Sequence, residues 1–543
     1  MKTKHWHQYY DYDVPMMVHY PRFPVQSILH IAAVKFPSKA AMKMYNTEFT
    51  YTEIRARVLR FANALARLDV KQGDHVGLAM PNCPQYVISY YAILSLGAVV
   101  VNINPFYSKD QFTLTLKCSG VKTLITIDSN LPVVRPLVKE FDIKHVIVTK
   151  LTDFIKEFET SSAKSLDLEK GWHHLSSLLK LCSDIKVPDV VIHPYDSAMI
   201  QFTSGTTGIP KGVVLTHGNV VTSIIQFSLW CKPLLDSTTI DKRSLIVALP
   251  YFHINGNIIA MNWSLFNGLT QILFPNFNIN EFIEESNKSE DFTILPAKPA
   301  MIANMIKHFD SSKKTIGRPI QWIHSIGAPM PIGLRNDLSD MRLFYTEGWG
   351  ISETTAMGIC NPVLGNKIGS IGLPMMDNDV CLLDLNNGGT FIKPGETGEI
   401  IIKSPTIMKE YCNGQKDFEN PIKDGWLHTG DIAQMDEDGY FYILDRKEDV
   451  IKVDGFNVYL REVDEVLRRH PMVAEAIAVG LRDAYEGKKI KAFVVLNPGD
   501  KVTDIDIIDY CTSKLASYKV PQDVEFRDFL PRSFEGEIVR WNL

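Results

Sequence analysis

The sequence predicts an α/β protein with a large N-terminal domain and a small C-terminal α/β domain. The large domain is expected to combine parallel-sheet subdomains with a small β-rich subdomain. Three observations lead to this fold class. Strand-length apolar runs alternate with helical periodicity from residue 49 to residue 295, turn residues are dense over 388–399, and strand and helix patterns return after residue 445. We place residues 1–445 in the first domain and residues 446–543 in the second.

The first elements form a strand–helix–strand series. The predicted elements are a helix over 52–68 that is capped by Thr52, a strand over 75–80, a helix over 84–96 and a strand over 98–103. The same alternation predicts further strands at 121–127, 145–149, 245–249 and 293–295. Because helices connect consecutive strands, we expect the strands to run parallel, with helices on the faces of the sheet.

Two regions depart from this alternation. Residues 151–190 are rich in Lys, Glu and Ser and have weak helical periodicity, so we interpret them as a surface excursion. Residues 388–399 contain Gly-Gly and Pro-Gly turns, and a short strand is predicted at 399–403. This second pattern predicts the β-rich subdomain.

The C-terminal domain is predicted to be a compact α/β module that joins the first domain near residues 445–449. Its predicted elements are a helix over 460–470, strands over 474–479 and 491–496, a helix over 505–515 and a strand over 524–526. The first of these helices is amphipathic, with Val463, Val466 and Leu467 on its inner face, and Pro471 ends it.

Composition argues against several functional classes. The formal net charge is −5 and no dense basic block occurs, so nucleic acid is not an expected partner. The eight cysteines are scattered without a Cys-x-x-Cys pair, which argues against a disulfide framework or a zinc site and favours a reducing compartment. The N-terminus lacks the apolar core of a signal peptide, and polar residues interrupt the most apolar stretch, 87–103. We therefore expect a cytoplasmic protein without a transmembrane segment, and peripheral membrane contact stays open.

One stretch, residues 203–212, concentrates groups that suit a phosphate. Glycines allow a tight turn that brings backbone N–H groups towards an anion, hydroxyls donate hydrogen bonds, and a lysine adds positive charge. These residues are Thr203, Ser204, Gly205, Thr206, Thr207, Gly208 and Lys211. The stretch is not a Walker A loop, because Pro210 and Gly212 flank the lysine where that motif needs a glycine and a hydroxyl residue. A phosphate-holding loop is predicted in preference to a polar surface loop.

Five further motifs follow this loop along the chain. They are Pro250-Tyr251-Phe252-His253, Gly327-Ala328-Pro329, Glu347-Gly348-Trp349-Gly350-Ile351-Ser352-Glu353-Thr354, Trp426-Leu427-His428-Thr429-Gly430-Asp431 and the charged stretch 445–455. In the third motif an aromatic face can stack on a base, a hydroxyl can reach a phosphate, and a carboxylate can hold Mg²⁺. The motifs, in this order, resemble those of the adenylate-forming superfamily of acyl-CoA synthetases, luciferases and peptide-synthetase adenylation domains. The resemblance extends from near residue 20 to the C-terminus.

The resemblance implies a site for ATP, Mg²⁺ and a thiol. The implied nucleotide-binding residues are Thr203, Ser204, Gly205, Thr206, Thr207, Gly208, Gly327, Ala328, Pro329, Trp349, Gly350, Ser352, Asp431, Arg446 and Gly455. The loop is expected to clamp the β- and γ-phosphates, and Asp431 to accept hydrogen bonds from the ribose hydroxyls. The implied metal residues are Glu353 and Thr206, and the implied catalytic residues are Lys211, His253, Glu353, Lys452 and Glu537. The resemblance also implies that the small C-terminal α/β domain is mobile, because in relatives this domain rotates at the position of Glu448, which brings the loop of Gly455 to the thiol tunnel.

The sequence departs from the family pattern at Glu537. Relatives end with Pro-x-x-x-x-Gly-Lys-(Ile/Leu)-x-Arg, and this chain keeps Pro531, Gly536 and Arg540 but has glutamate in place of the lysine. In relatives that lysine neutralises charge between the substrate carboxylate and the α-phosphate. Losing one such donor costs roughly 3–4 kcal/mol, on the order of a hundred- to thousandfold in rate. Three explanations stay open: a disabling change, a protein that works mainly in the thioester half-reaction, and a weak acyl- or nucleotide-binding homologue.

The resemblance therefore predicts an AMP-forming acyl-CoA ligase that uses ATP, Mg²⁺ and coenzyme A. The expected substrate is a medium- or long-chain fatty acid, and aryl or branched acids stay open. The alternative is an adenylation-impaired homologue that binds ATP or acyl-AMP, or that runs mainly the thioester half-reaction. We expect a monomer or a homodimer.

Overall fold

The computed structural model describes residues 4–155, 168–203, 211–275, 278–288, 292–312, 320–385, 389–412, 420–453, 456–483, 487–532, 538–540 and 543. These residues divide into two compact units. The N-terminal unit holds the described residues up to Asn378 together with 404–412, and the C-terminal unit holds those of 379–403 and from 420 onwards. The predicted domain boundary at residue 445 stays a prediction.

The elements are numbered in chain order. The helices are α1 (Ser27–Lys35), α2 (Tyr51–Arg67), α3 (Pro84–Ser95), α4 (Lys109–Ser119), α5 (Leu131–Glu140), α6 (Leu175–Leu181), α7 (His217–Trp230), α8 (Lys232–Asp236), α9 (Ser264–Phe266), α10 (Ile279–Lys288), α11 (Pro299–Ser312), α12 (Ile332–Asp340), α13 (Leu460–Arg468) and α14 (Asp504–Thr512). The first strands are β1 (Ala40–Met44), β2 (Thr47–Thr50), β3 (His75–Ala79), β4 (Val99–Asn102), β5 (Thr123–Ile127), β6 (His145–Thr149), β7 (Trp172–His174), β8 (Ser197–Phe202), β9 (Gly212–Thr216), β10 (Arg243–Val247), β11 (Thr270–Leu273), β12 (Phe292–Ala297), β13 (Ile320–Ser325) and β14 (Tyr345–Trp349). The others are β15 (Ile359–Cys360), β16 (Leu373–Pro374), β17 (Asp379–Asp384), β18 (Thr397–Lys403), β19 (Glu410–Tyr411), β20 (Ile422–Lys423), β21 (Trp426–Met435), β22 (Phe441–Arg446), β23 (Val450–Val453), β24 (Phe456–Tyr459), β25 (Val473–Asp483), β26 (Gly487–Leu496) and β27 (Asp523–Phe526).

Two largely parallel sheets form the N-terminal unit. An eight-stranded sheet has the order β19-β9-β8-β4-β3-β5-β6-β7, in which the strands from β8 to β7 run parallel, β9 is antiparallel to β8, and β19 is antiparallel to β9. A nine-stranded sheet has the order β16-β15-β14-β13-β12-β10-β11-β1-β2, and its strands from β14 to β1 run parallel. Parallel strands need covered faces, which the helices provide. These sheets confirm the predicted parallel-sheet subdomains.

The most apolar stretch of the sequence forms a buried helix and a buried strand. Every residue of α3 and of β4 is buried. The hydroxyl groups on this helix are satisfied inside the core, because Tyr86 donates to Asn102 Oδ1 at 2.6 Å and Tyr91 donates to Asn262 Oδ1 at 2.7 Å. The prediction for 87–103 is confirmed. Among the helices that the structure describes, none is long and apolar enough to cross a membrane.

Two expectations about local structure require correction. The cap of α2 is Thr50 and not Thr52: its hydroxyl accepts from the Glu53 N–H at 3.2 Å, and the Glu53 carboxylate accepts from the Thr50 N–H at 2.9 Å. This capping box fixes the start of the helix because it satisfies two otherwise unpaired N–H groups. The surface excursion over 151–190 contains β7, which pairs with β6 and extends the sheet, and α6. Residues 156–167 lie outside the described part of the chain.

The C-terminal unit is built from an antiparallel sheet and an α/β module. The antiparallel sheet has the order β17-β18-β21-β20, with β22 beside β21. The hairpin β23–β24 follows, and the sheet β25-β26-β27 packs with α13 and α14 around a shared apolar core. This confirms the predicted β-rich subdomain and the predicted C-terminal α/β module.

A partly buried ion cluster holds Arg540, near the C-terminus, against this module. Arg540 donates to the Ala478 carbonyl at 3.1 Å and to Asp449 Oδ2 at 3.0 Å, and it also hydrogen-bonds Asp464 Oδ2. Asp464 lies on α13 with 4% of its side chain exposed, and its Oδ1 accepts from the Ala478 N–H at 2.6 Å. Arg540 therefore joins α13, β25 and the turn before β23.

Candidate active site

The candidate residues of the N-terminal unit collect at one edge of the nine-stranded sheet. Strands β10, β12, β13 and β14 are neighbours and run parallel, so their carboxyl ends meet at this edge. His253 lies in the segment after β10, Gly327 follows β13, and Glu353 follows β14. Ligands of open parallel sheets bind outside the carboxyl ends of the strands. The sheet therefore brings together three motifs that are far apart in the sequence.

His253 begins a buried helical segment. Its backbone N–H donates to the Pro250 carbonyl at 3.0 Å, and its Nδ1 accepts from the Asn255 N–H at 3.3 Å. A Cβ atom at Gly256 would lie 1.9 Å from the Pro250 oxygen, so only glycine fits there. The turn after β10 thus fixes the backbone of the predicted catalytic histidine.

The segment continues as a π-helix, Gly256–Trp263, whose side chains are all buried. π-helical turns are rare and are frequent at functional sites. This one contains two buried amides: Asn262 Nδ2 donates to Asn257 Oδ1 at 3.0 Å, and Asn262 Oδ1 accepts from Tyr91. The interior after His253 is therefore partly polar, whereas the acyl chain of the predicted substrate is apolar.

Gly327 begins the predicted adenine-binding turn with a conformation that favours glycine. Its φ is +91°, and a Cβ atom there would lie 3.2 Å from Asn255 Nδ2 and 3.3 Å from Lys298 Cε. Gly327 and Pro329 are exposed and Ala328 is half-buried. A rigid, accessible backbone of small residues is compatible with the predicted contact to a flat base.

The motif after β14 forms a tight turn. A Cβ atom at Gly350 would lie 1.9 Å from the Ala356 oxygen, so only glycine fits. Thr355 and Ala356 both have positive φ values, 54° and 76°, a conformation that costs energy in residues with a Cβ atom. Trp349 is 7% exposed and Ser352 is 8% exposed. Strained turns of this kind cluster at functional sites, which agrees with the prediction for this motif.

Glu353 is held by a residue that the sequence analysis did not identify. Tyr411 Oη donates to Glu353 Oε1 at 2.8 Å, and the Met408 N–H donates to the Glu353 carbonyl at 2.8 Å. The Lys211 Nζ atom lies 5.5 Å from the centroid of the Tyr411 ring, within the range of a cation–π contact. Tyr411 therefore connects two predicted catalytic residues, Lys211 and Glu353.

Strand pairing explains how Tyr411 reaches these residues. It lies on the short edge strand β19, opposite Val213 on β9, which begins directly after Lys211. Thr355 Oγ1 also donates to the Thr406 carbonyl at 2.6 Å, which ties the preceding residues to the Glu353 turn. Only this long-range pairing would have revealed Tyr411, because no local motif marks it.

The phosphate loop connects two antiparallel strands. It leaves β8 after Phe202 and enters β9 at Gly212, and these two residues are paired. At its base the Thr203 N–H donates to the Lys211 carbonyl at 3.0 Å, and the Lys211 N–H donates to Thr203 Oγ1 at 3.3 Å. A Walker A loop leads from a strand into a helix, so the structure agrees with the distinction made from the sequence. The predicted residues Ser204, Gly205, Thr206, Thr207 and Gly208 lie outside the described part of the chain.

The donor set around Glu353 suits Mg²⁺. Tyr411 engages Oε1, and no residue in the described part of the chain hydrogen-bonds Oε2. Mg²⁺ in nucleotide sites usually takes one or two carboxylates and completes its shell with water and phosphate oxygens. One oriented carboxylate beside the base of a phosphate loop fits that coordination. The second predicted metal residue, Thr206, lies outside the described residues.

In the C-terminal unit, β-sheet register pairs Asp431 with Arg446. The two residues are opposite each other on β21 and β22, and Arg446 Nη1 donates to Asp431 Oδ1 at 2.6 Å. Arg446 Nε also lies 3.6 Å from Glu448 Oε1. Asp431, the predicted ribose acceptor, and Arg446, the predicted nucleotide-contacting residue, are therefore neighbours. Arg446 also links Asp431 to Glu448, the predicted pivot residue.

The remaining predicted residues belong to the C-terminal module. Lys452 lies on β23 opposite Asn457, and its side chain is exposed. Gly455 and Glu537 lie outside the described part of the chain. Of these three residues the structure therefore describes Lys452, which lies on the hairpin β23–β24. The roles of all three residues stay predictions.

Asp445, directly before Arg446, gives the C-terminal unit a testable pH dependence. Burial raises the pKa of Asp445 to about 6, although its carboxylate accepts from the N–H groups of Arg446 and Arg461. The folded state therefore binds the proton of the Asp445 carboxyl group more tightly than the unfolded state does. Protonation of Asp445 stabilises the folded state at low pH, and this stabilisation is lost as pH rises through about 6. We expect Asp445→Asn to reduce the fall in stability between about pH 4 and pH 7 by up to about 3 kcal/mol. Hydrogen exchange of α13 at both pH values, corrected for intrinsic rates, measures the difference; equal slopes for parent and variant would contradict it.

Comparison with known proteins supports the interpretation of these motifs as nucleotide-binding motifs. The sequence profile of AMP-binding enzymes matches residues 29–412, and the profile of the AMP-binding enzyme C-terminal domain matches residues 462–537. A long-chain-fatty-acid–CoA ligase of Bacillus subtilis is 33% identical over 99% of this chain and 97% of its own length. A ligase of the same name from Salmonella typhimurium is 32% identical over 99% of this chain and 98% of its own length.

Solved structures agree as well. The o-succinylbenzoate CoA synthetase of Bacillus subtilis, in complex with its acyl-adenylate intermediate, superimposes with a TM-score of 0.79 at 28% identity, over 96% of this chain and 98% of that chain. The same enzyme with ATP and a magnesium ion gives a TM-score of 0.78 at 27% identity, over 96% of this chain and all of that chain. The fold and the motifs thus define the class of ligases that adenylate a carboxylic acid. The chain belongs to the AMP-binding enzyme family, as the motifs predicted.

Proposed function

We propose that this chain is an AMP-forming acyl-CoA ligase that activates a medium- or long-chain fatty acid. The observation that carries the proposal is the Lys211–Tyr411–Glu353 group, which joins the base of the phosphate loop to a carboxylate at the carboxyl edge of the sheet. The fatty-acid preference rests on relatives at 33% and 32% identity that are named long-chain-fatty-acid–CoA ligases.

In the first half-reaction the acid attacks ATP. A carboxylate oxygen forms a bond to the α-phosphorus, the bond to the bridging oxygen breaks, and pyrophosphate leaves with the electron pair. Lys211 and the loop that starts at Thr203 hold the β- and γ-phosphates, and backbone N–H groups and a lysine suit this task. The turn at Gly327 borders the adenine, and Ser352 binds the α-phosphate. Asp431 and Arg446 bind the nucleoside end.

Glu353 would hold Mg²⁺ through Oε2, and the metal supplies positive charge that offsets the charge of the phosphates. Tyr411 contributes by fixing the rotamer of Glu353, because a carboxylate that is already hydrogen-bonded through Oε1 presents Oε2 in one direction. His253 lies near the reacting carboxylate. In the second half-reaction the CoA thiol displaces AMP, and Lys452 and Gly455 serve this step.

Product analysis tests the proposed function. Incubation with ATP, Mg²⁺, CoA and a panel of straight-chain acids from short to long should give AMP, pyrophosphate and acyl-CoA in equal amounts, with medium or long acids preferred. Mass spectrometry and a pyrophosphate assay measure the three products. Formation of ADP, or no AMP with any acid, would contradict the proposal.

A second candidate function rests on Glu537, which stands where the family has lysine. In that case the protein binds ATP or acyl-AMP, or converts supplied acyl-adenylate and CoA to thioester without efficient adenylation. Supplying synthetic acyl-adenylate separates the two, because thioester formation without pyrophosphate release assigns the defect to the first half-reaction.

We also propose a cytoplasmic location. All eight cysteines lie in the described residues and none is in a disulfide there, which suits a reducing compartment. A monomer or a homodimer stays the expected state of assembly.

A further inference from the structure

One side of α7 donates hydrogen bonds to irregular backbone of the N-terminal unit. Most residues of this helix are buried, and a buried polar side chain costs free energy unless it is hydrogen-bonded. Asn219, Ser223, Gln226 and Trp230 are spaced by four, three and four residues, which places them along one side of the helix. Each donates to a backbone carbonyl that lies outside the strands. This donor stripe therefore supports backbone that lies between the strands.

Asn219, the first member of the stripe, binds the returning segment 404–412. Its Nδ2 group donates to the Pro405 carbonyl at 3.0 Å and to the Ile407 carbonyl at 2.9 Å. The N–H of the next residue in that segment donates to the Glu353 carbonyl at 2.8 Å. Asn219 thus holds the segment at the point from which its backbone reaches Glu353.

Ser223 binds the turn that follows Glu353. Ser223 Oγ donates to the Thr355 carbonyl at 2.7 Å, and Thr355 Oγ1 donates to the Thr406 carbonyl at 2.6 Å. Thr355 has a φ of 54°, a conformation that residues with a Cβ atom keep only when their surroundings hold them. Asn219 and Ser223 are about one helical turn apart. One side of α7 therefore holds both the strained turn and the segment that engages Glu353.

The choice of asparagine at position 219 is not explained by helix capping. Asn219 Oδ1 accepts from the Thr216 N–H at 3.0 Å and from Thr216 Oγ1 at 2.8 Å, which completes the capping box of α7. Capping needs only this oxygen, and α14 uses Asp506 in the same place. A side-chain amide adds two N–H donors, and both of them bind the returning segment.

The position of α7 in the chain connects this contact to the phosphate loop. Strand β9 begins directly after Lys211 and leads into α7 at Thr216. The strand that leaves the loop and the segment that engages Glu353 therefore meet at the side chain of Asn219. A group held in this way can fix one part of a site relative to another.

We propose that Asn219 is a positioning residue for magnesium binding by Glu353. It acts through the backbone of residues 405–408, and together with Ser223 it fixes the direction of Glu353 Oε2 while Tyr411 engages Oε1. The start of α7 thus sets the carboxylate relative to the phosphate loop. The inference rests on the proposed function, in which Glu353 is the metal ligand.

Asn219→Ala tests this role because it removes both donors to the returning segment. We expect the affinity for the Mn²⁺–ATP complex, measured by electron paramagnetic resonance, to fall about tenfold, a usual loss when a group that orients a metal ligand is removed. The affinity for ATP without metal, measured by calorimetry in the presence of a chelator, should change less than twofold. Pyrophosphate release should fall most at low Mg²⁺ and recover largely at high Mg²⁺. Ser223→Ala removes one donor and should weaken metal binding a few-fold.

Two variants on α7 serve as matched controls. Thr216→Ala removes the capping hydroxyl but leaves both donors of Asn219, and Gln226→Ala removes a buried amide that donates to the Met376 carbonyl at 2.7 Å. Both controls should lower the temperature of unfolding and leave the affinity for Mn²⁺–ATP within twofold of that of the parent. Thermal unfolding of all variants is measured alongside, so that a loss of stability is separated from a loss of metal binding.

The outcomes separate the inference from the proposed function. Unchanged metal affinity in Asn219→Ala and Ser223→Ala, an equal loss in either control, or an equal loss of affinity for metal-free ATP would overturn the positioning role. If Asn219→Ala does not fold, Ser223→Ala decides, because it removes only one oxygen atom. A parent that binds Mn²⁺–ATP, with binding weakened in Asn219→Ala, but that forms no AMP with any acid would contradict the proposed function alone.

Discussion

Replacing Glu353 with glutamine is expected to lower the rate of pyrophosphate release by roughly a hundred- to thousandfold, the usual loss when one preorganised electrostatic group is removed. The substitution keeps the shape of the side chain and an oxygen that can accept from Tyr411, so the turn after β14 should persist. It removes the negative charge that a hard cation requires. Pyrophosphate release at a series of Mg²⁺ concentrations measures the effect, and the variant should need more Mg²⁺.

Two variants on the neighbouring strand sharpen this test. Tyr411→Phe removes the hydroxyl that holds Glu353 but keeps the ring under Lys211, and we expect a loss of a few-fold that is largest at low Mg²⁺. Glu410→Gln changes an exposed carboxylate one residue away and should have no effect. Electron paramagnetic resonance of Mn²⁺ in the presence of ATP gives a readout that does not depend on turnover. Equal metal affinity for the parent and Glu353→Gln would contradict the assignment.

Replacing Arg540 with methionine is expected to destabilise the C-terminal module by about 3 kcal/mol, because removing one partner of a buried ion pair leaves the other charge uncompensated. Asp464 would lose its hydrogen bond to Arg540, and burial already raises the pKa of that carboxyl. Arg468 offsets the charge of Asp464 only in part, since its Nη2 atom lies 3.8 Å from Asp464 Oδ2, within the range of an ion pair but beyond that of a hydrogen bond. Amide exchange in α13 and β25 should accelerate by about a hundredfold in the full chain.

Arg532→Met provides the matched control. Arg532 also lies in the C-terminal segment, where it forms an ion pair with Glu475, but 42% of its side chain and 34% of its partner's are exposed. An exposed pair contributes at most about 1 kcal/mol, so exchange in the same peptides should change little. Equal effects of the two variants would mean that burial of the Arg540 cluster does not determine its contribution.

Local patterns were sufficient to predict most of the fold. Buried parallel strands are continuous apolar runs, so β3, β4, β5 and β6 could be located within two residues of their bounds. The prediction of Thr52 as the cap of α2 was wrong because Thr50 and Thr52 are both acceptable cap residues. Only the reciprocal hydrogen bond between Glu53 and Thr50 distinguishes them. The edge strand β7 was missed because a half-buried strand of three residues has no apolar alternation.

The site was only partly predictable, for a different reason. His253, Gly327 and Glu353 lie in motifs whose residues suit their chemistry, and each motif is local. Tyr411 is a functional candidate only because of the strand beside it, β9. Strand order is a long-range property that no single segment determines, so Tyr411 could not be identified from the sequence.

The course of the chain around β19 limits how this protein can be divided. The polypeptide leaves the N-terminal unit after Asn378, forms β17 and β18, and returns for residues 404–412 before it leaves again. A fragment that ends at Asn378 would therefore lack the strand that carries Tyr411, and its Glu353 would lose the hydrogen bond that orients it. For expression of the N-terminal unit alone, residues 379–403 would have to be replaced by a short linker, since deleting everything beyond them would also delete part of the site.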